Sequence, residues 1–347
     1  MTATMMVDRC LAAWEEGKRL LAPLMGFPGV NLIDSSIKLA QQNYGEHYRV
    51  IKALYNRFRP DVVFPLMDLS VEANAVGRYT LFPEHDSATV VKSRFDQERL
   101  DRLRAVNIAC DTRMIGYVET MKLMSLGLPD DVLKGAYVTG PYSLAALLIG
   151  ADDAAMSTIV DPERLHELCD FAAQKVQEYT MQCLAAGAEV VCVLEPTAVM
   201  LGVEQFRQFS ARYVQRIAEC CRYSGAATVY HVCGNTMHLT EAMVEAGVNG
   251  LSLDSPDVGI DLAEAASRVP NDVVIIGNIN PSAVLAHGTP GLVIQKVSEL
   301  LDLMEPYPNF VLSSGCDLPQ ETPLENIEAF MQIGRAYRRR RSFAVPA

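Results

Sequence analysis

Eight short β-rich runs recur along this chain, and helical stretches separate most of them. They are "LLAPLMGF" (20–27), "DVVFPLMDL" (61–69), "GAYVTGP" (135–141), "AEVVCVLEP" (188–196), "AATVYHVCG" (226–234), "VNGLSLDSP" (248–256), "NDVVIIGNINP" (271–281) and "NFVLSSGCD" (309–317). Several are apolar without alternation. That pattern belongs to parallel strands buried on both faces. Parallel neighbours need crossover connections, and helices supply them. Eight such units predict a (β/α)8 TIM barrel. An open doubly wound sheet is the competing arrangement, but no Gly-rich phosphate-binding turn follows the first run.

The helical stretches carry their own punctuation. Residues 161–187 open with Asp161 as cap and Pro162 at the first helical position, and they stop at Gly187. Segments 202–225 and 236–247 also end on glycine. The last helix, from Thr322, shows a capping-box pair, Thr322 and Glu325. Residues 70–134 are too long for one crossover and predict an insertion over the barrel mouth, with a hairpin within 78–93. No repeat or linker divides the chain. The expectation is one domain over 1–347, with an N-terminal extension over about 1–18.

Charge narrows the partners. Of 347 residues, 30 are Lys or Arg and 42 Asp or Glu, giving a net charge of -12. Such a surface repels polyphosphate, so nucleic-acid binding is not expected. The basic "RAYRRRRSF" near the C-terminus follows a helical pattern and reads as a solvated helix end. The most apolar region, 135–156, is broken by Gly140, Pro141 and Gly150, which argues against a membrane span. The N-terminus lacks a signal-peptide pattern, so the expected setting is a reducing cytoplasm. The nine cysteines are then thiols or metal ligands rather than disulfides. Cys183, Cys192, Cys220 and Cys221 lie in apolar surroundings and read as small core residues. His47, His85, His166, His238 and His287 have no evident partner and read as surface or packing histidines.

In a barrel of this kind, chemistry sits at the C-terminal ends of the strands. Those ends carry Asp68, Gly140-Pro141-Tyr142, Glu195, His231 with Cys233, Asp254, Asn278 and Cys316. Residues i and i+2 of an extended segment point the same way, so His231 and Cys233 can reach one ion. Cys316 ends the last run, which barrel closure brings near the others. Three protein donors and one open position form a catalytic zinc pattern. Two thiolates and a neutral imidazole cancel the charge of Zn²⁺. Such a zinc acidifies water weakly and is better suited to activating a substrate thiol. A metal-free Cys–His nucleophile pair remains an alternative, although it leaves one thiol without a role. Glu195 is expected in the site, either as a displaceable zinc ligand or orienting His231. Asp254 joins it as a second acid, while Tyr142 and Asn278 are expected to line the mouth.

The segments "YHVCGNT", "GLSLDSPDVGIDLAEAA", "IIGNINP" and "SSGCDLPQETPLENIEAF" resemble the uroporphyrinogen decarboxylase superfamily, within it the corrinoid-dependent methyltransferases of the methylcobamide:coenzyme M type. "PDVVFPLMDLSVEANAVG" and "TGPYSLAALLIG" fit as well, and the resemblance runs over about residues 15–340. It implies a TIM barrel whose mouth holds zinc on His231, Cys233 and Cys316. It further implies methyl transfer between a corrinoid on a separate carrier protein, with methylcobalamin as its simplest form, and a thiol such as coenzyme M. Asp68 falls where the superfamily places an aspartate, so Asp68, Tyr142 and Asn278 are assigned to the corrinoid-facing wall. Corrinoid-loading demethylases and tetrahydrofolate-linked methyltransferases are further possibilities within the superfamily. Uroporphyrinogen decarboxylase itself fits poorly, since its Arg-rich early signature is absent and the three metal donors would be idle. A corrinoid-protein binding module with a structural zinc is the non-enzymatic alternative.

Overall fold

The computed structural model of the chain describes residues 4–92, 95 and 97–339. Seven parallel strands form one sheet in sequential order: β1 (Val62–Val63), β2 (Leu133–Thr139), β3 (Val190–Leu194), β4 (Ala227–Val232), β5 (Gly250–Leu253), β6 (Val274–Ile279) and β7 (Phe310–Ser314). The sheet curls until residues 20–24 fill the remaining gap. Ala22 N donates to Leu312 O at 2.9 Å, and Leu312 N donates to Leu20 O at 2.9 Å. On the other side Asp61 N donates to Leu21 O at 2.8 Å. The eighth stave is therefore present, but it pairs only as an isolated bridge between Leu21 and Leu312. Pro23 removes one donor there, and a 3-10 turn, Phe27–Leu32, follows at once. The architecture is an α/β (β/α)8 TIM barrel.

Each strand alternates between two environments. One row, including Val190, Cys192, Leu194, Ala227, Val229 and Ile276, packs inside the barrel. The other row, including Val191, Val193, Tyr230, Val232, Ile275 and Leu312, packs against the outer helices. Both rows are apolar, which is why the strands lack a hydrophobic alternation in sequence. The helix Pro162–Ala185 begins as expected, with Asp161 accepting from Arg164 N, and the chain reverses at Gly187 with φ +101°. The last helix corrects an expectation. It starts at Leu324 with Pro323 as cap, and the buried Thr322 hydroxyl has no partner. Pro323 has a helical φ of -59° but an extended ψ of 131°, so the helix begins one residue later and Thr322 stands one residue too early to form the capping box. Of the last helix's basic end, Arg335, Arg338 and Arg339 are described, and residues 340–343 lie outside the described residues.

Three cysteines expected in the core are buried, namely Cys183, Cys192 and Cys221. Cys220 is instead half-buried and meets Gln177 Nε2 at 3.5 Å. Among the described residues no single helix is long and apolar enough to cross a membrane. The apolar stretch after β2 is split into Pro141–Ile149 and Ala151–Val160, which meet at 106° around Gly150. Between β1 and β2 the chain forms the short hairpin Thr80–Leu81 with Thr89–Val90 and the helix Thr112–Gly127.

Candidate metal centre

His231 and Cys233 extend the inward row of β4 that Ala227 and Val229 begin. Gly234 then turns the chain at φ +88°, leaving Cys233 on the lip of the barrel. Cys316 follows β7 through Gly315. A Cβ at Gly315 would stand 2.6 Å from Ser255 N, so only glycine lets this loop lie against the end of β5. The three donors converge. His231 Nε2 is 3.1 Å from Cys233 Sγ, the two sulfurs are 3.5 Å apart, and Cys316 Sγ is 3.7 Å from His231 Nε2. A tetrahedral zinc with its usual bond lengths needs edges of about 3.8 Å between sulfurs and about 3.5 Å from nitrogen to sulfur. The residues present fit that ion, and they form the one His/Cys/Asp/Glu cluster of metal-binding size among the described residues.

The imidazole is held from behind. Ser252 is the register partner of His231 across β4 and β5, and its Oγ lies 2.9 Å from Nδ1. With Nδ1–H donating to Ser252, Nε2 keeps its lone pair toward the cysteines. Burial works to lower the His231 pKa, but the Cys316 sulfur and then the Asp254 charge outweigh it and raise it. Cys316 is pushed well above the usual thiol range, first by its contact with Cys233 and then by burial. Crowded thiols of this kind ionise readily only when a cation is present to receive them.

The other expected residues fall into three groups. Asp254 and Asn278 support the lip: Asp254 Oδ2 accepts from Gly234 N at 2.8 Å, and Asn278 Nδ2 donates to Asp254 O at 2.9 Å. Glu195 and Tyr142 form a separate arrangement. The Glu195 carboxylate is fully buried and accepts from Tyr142 N, Ser143 N and Ser210 Oγ at 3.0, 2.6 and 3.1 Å. It does not orient His231, because Ser252 does. Burial raises its pKa to about 7, against the pull of these donors. Tyr142 packs in the outer core. Asp68 forms the third group, sealed in a polar knot. It receives Ser70 N, Ser70 Oγ, Tyr117 Oη and an ion pair from Arg113, whose guanidinium lies 4.6 Å from the Phe82 ring of the hairpin segment.

A cavity of about 470 Å³ opens beside Cys316. Its walls come from Phe27, Ile37, Met67 and Leu69, from the hairpin residues His85 to Ala88, and from the loop Cys316 to Glu321. Gln320 Nε2 reaches His85 Nδ1 at 3.4 Å across it, joining loop and hairpin. Sequence reasoning missed Ser252, Arg113 and Asp317. Ser252 carried a usable signal, as a lone hydroxyl on the strand next to the H-x-C pair. Arg113 carried none, since nothing local ties it to Asp68.

A profile of the uroporphyrinogen decarboxylase (URO-D) family matches residues 40–337. The chain belongs to this family. Among its URO-D relatives, "Methylcobamide:CoM methyltransferase MtbA" of Methanosarcina acetivorans is 28% identical over 253 residues, 72% of this chain and 70% of that protein. "Uroporphyrinogen decarboxylase" of a Synechococcus species is 24% identical over 309 residues, covering 87% of this chain and 85% of the relative. Among solved structures, a "methyltransferase from Methanosarcina mazei" superposes with a TM-score of 0.83 at 21% identity, over 96% of this chain and 99% of that one. The last likeness bears on the fold, and it agrees with the barrel described above.

Proposed function

We propose that this protein moves a methyl group between a corrinoid and a small thiol, with zinc held by His231, Cys233 and Cys316. The observation that carries the reading is the triangle of one nitrogen and two sulfurs, with edges of 3.1, 3.5 and 3.7 Å, beside an open cavity. When bound there, zinc helps a fourth-ligand thiol lose its proton and leaves it nucleophilic, because two thiolates already cancel the metal's charge. Ser252 keeps His231 in the tautomer that presents Nε2. Asp254 fixes the turn after Cys233. Met67, Leu69 and Phe27 exclude water from one wall of the cavity. The substrate sulfur then attacks the methyl carbon, and the carbon–cobalt bond breaks with its electron pair left on the corrinoid. A corrinoid is large and must meet the mouth from outside, so a separate carrier protein is the proposed partner. A reducing cytoplasm is the proposed setting. The relatives named methylcobamide:CoM methyltransferase support the corrinoid.

Decarboxylation of uroporphyrinogen is disfavoured by the same cavity. A polycarboxylated tetrapyrrole needs cations, and among the described residues no Arg or Lys lines it. Asp68 is also engaged by Arg113. The test uses methylcobalamin and 2-mercaptoethanol. Zinc-loaded protein should release cob(I)alamin, seen by absorbance. Cys316→Ser should lose both zinc and turnover yet keep its circular dichroism and melting profile. A Cys316→Ser protein that still turns over, or that unfolds, contradicts the proposal.

A further inference from the structure

The chain carries nine cysteines, and the fold leaves few of them reactive. Cys10, Cys169, Cys183, Cys192 and Cys221 are buried, and burial pushes the Cys10, Cys183 and Cys221 thiols up to about 12. Protonated thiols in such surroundings are inert. Cys110 is exposed and Cys220 half-buried, but neither belongs to a cluster of metal donors among the described residues. Cys233 and Cys316 differ from all of these. Their sulfurs stand 3.5 Å apart, and Cys316 lines the open cavity, so a small molecule that enters the cavity reaches the pair.

With zinc bound, both sulfurs are thiolates, and together they already cancel the metal's charge. The electron density that readies a substrate sulfur for attack is then present on the ligand sulfurs as well. A thiolate able to attack a methyl carbon can also attack a peroxide oxygen. The two sulfurs must close by about 1.5 Å to reach bonding distance. Cys233 can supply that movement, because it stands past the end of β4, before the turn at Gly234 with φ +88°. Cys316 is the fixed partner, since Gly315 holds its loop against the end of β5.

We infer that the metal centre is also a redox switch, in which hydrogen peroxide joins Cys233 to Cys316 and releases zinc. The inference rests on the proposed zinc site and names its regulation. The Cys316 thiolate attacks one peroxide oxygen, the O–O bond breaks, and the departing hydroxide takes a proton from solvent to become water. Cys233 then attacks the Cys316 sulfur, the S–O bond breaks, and a second hydroxide leaves and is protonated. Each sulfur loses one electron, and each peroxide oxygen gains one. His231 is then the one donor left of the three, too few to hold zinc. Methyl transfer stays off until a thiol reductant reopens the bond.

The test uses full-length, zinc-loaded protein with one equivalent of hydrogen peroxide and a chromogenic zinc chelator. Zinc release, intact mass and peptide maps are followed together. Release should be at least about tenfold faster than in a peroxide-free sample, with two hydrogens lost per zinc and a map linking Cys233 to Cys316. Modification of Cys110 or Cys220 should be about tenfold slower or more, and Cys110→Ser should release zinc at the parent's rate. Dithiothreitol and fresh zinc should restore the loaded protein. Zinc that stays bound after peroxide, or leaves without the Cys233–Cys316 link, overturns the inference but leaves thiol activation standing. Sulfinic acid on either cysteine in place of the link does the same. If the reduced protein binds no zinc, thiol activation itself fails and the inference falls with it.

Discussion

Ser252 determines which nitrogen of His231 meets the two cysteines. Its hydroxyl, 2.9 Å from Nδ1, is the one side-chain group among the described residues, besides the two cysteines, that bonds the imidazole. Removing such a partner weakens metal affinity about 10–100-fold without removing a ligand. Ser252→Ala should therefore hold zinc more weakly by that factor in chelator competition, with an unchanged melting curve for the metal-free protein. Equal zinc affinity would mean that the ring is held by packing alone. The donors themselves were legible in the sequence because period-two alternation carries through β4 to His231 and Cys233. Glu195 was expected in the site from its place at the end of β3 alone. With Val190, Cys192 and Leu194 facing the barrel interior, the same alternation points Glu195 outward to the helices, and its carboxylate lies there. Its carboxylate turns away from the metal donors, toward the chain after β2.

That turn locks a strand to a helix. Glu195 accepts from the first N–H groups of the helix Pro141–Ile149, where a helix presents partial positive charge. It ties β3 to the helix that follows β2. Gly140 allows the approach, since a Cβ there would collide with the Glu195 carboxyl carbon. Gly140→Ala should displace the carboxylate and destabilise the fold by about 1–3 kcal/mol in urea titration. A neutral effect would show that the contact is slack. Strand order and the mouth hairpin were readable as elements, because a buried parallel strand and a turn-rich excursion have distinct compositions. The first stave was not readable in full. Its pairing depends on barrel closure against β7 and Asp61, which no local pattern records. The knot of Asp68 and Ser70 with Arg113 and Tyr117 escaped for the same reason, because its two halves lie 43 to 49 residues apart.

At the scale of the whole molecule, buried ionisable groups set opposing pH limbs. Burial, helped by the Arg113 charge, lowers the His47 pKa to about 3, while its Nε2 accepts from Leu66 N at 2.8 Å. The unfolded chain thus binds a proton that the folded chain refuses between about pH 6.5 and 3, and stability falls as pH falls through that window. Glu72 and Glu195 behave oppositely. Burial raises both to about 7, so the folded state holds protons the unfolded chain has released, and stability falls as pH rises from about 4.5 to 7. His47→Gln keeps an acceptor for Leu66 N and cannot titrate. Its unfolding free energy should lose up to about one proton's worth of slope between pH 6 and 4 relative to the parent. An identical slope would place the acid limb elsewhere.

Thiol activation at His231, Cys233 and Cys316 requires one metal with a replaceable fourth ligand. X-ray absorption at the zinc edge measures that directly, on the full chain with and without 2-mercaptoethanol. The resting protein should show two sulfur neighbours at about 2.3 Å and one or two nitrogen or oxygen neighbours at about 2.0–2.1 Å. A third sulfur should appear when the thiol is added. A closed shell that the thiol leaves unchanged, a shell with no sulfur, or a protein that binds no zinc would contradict it.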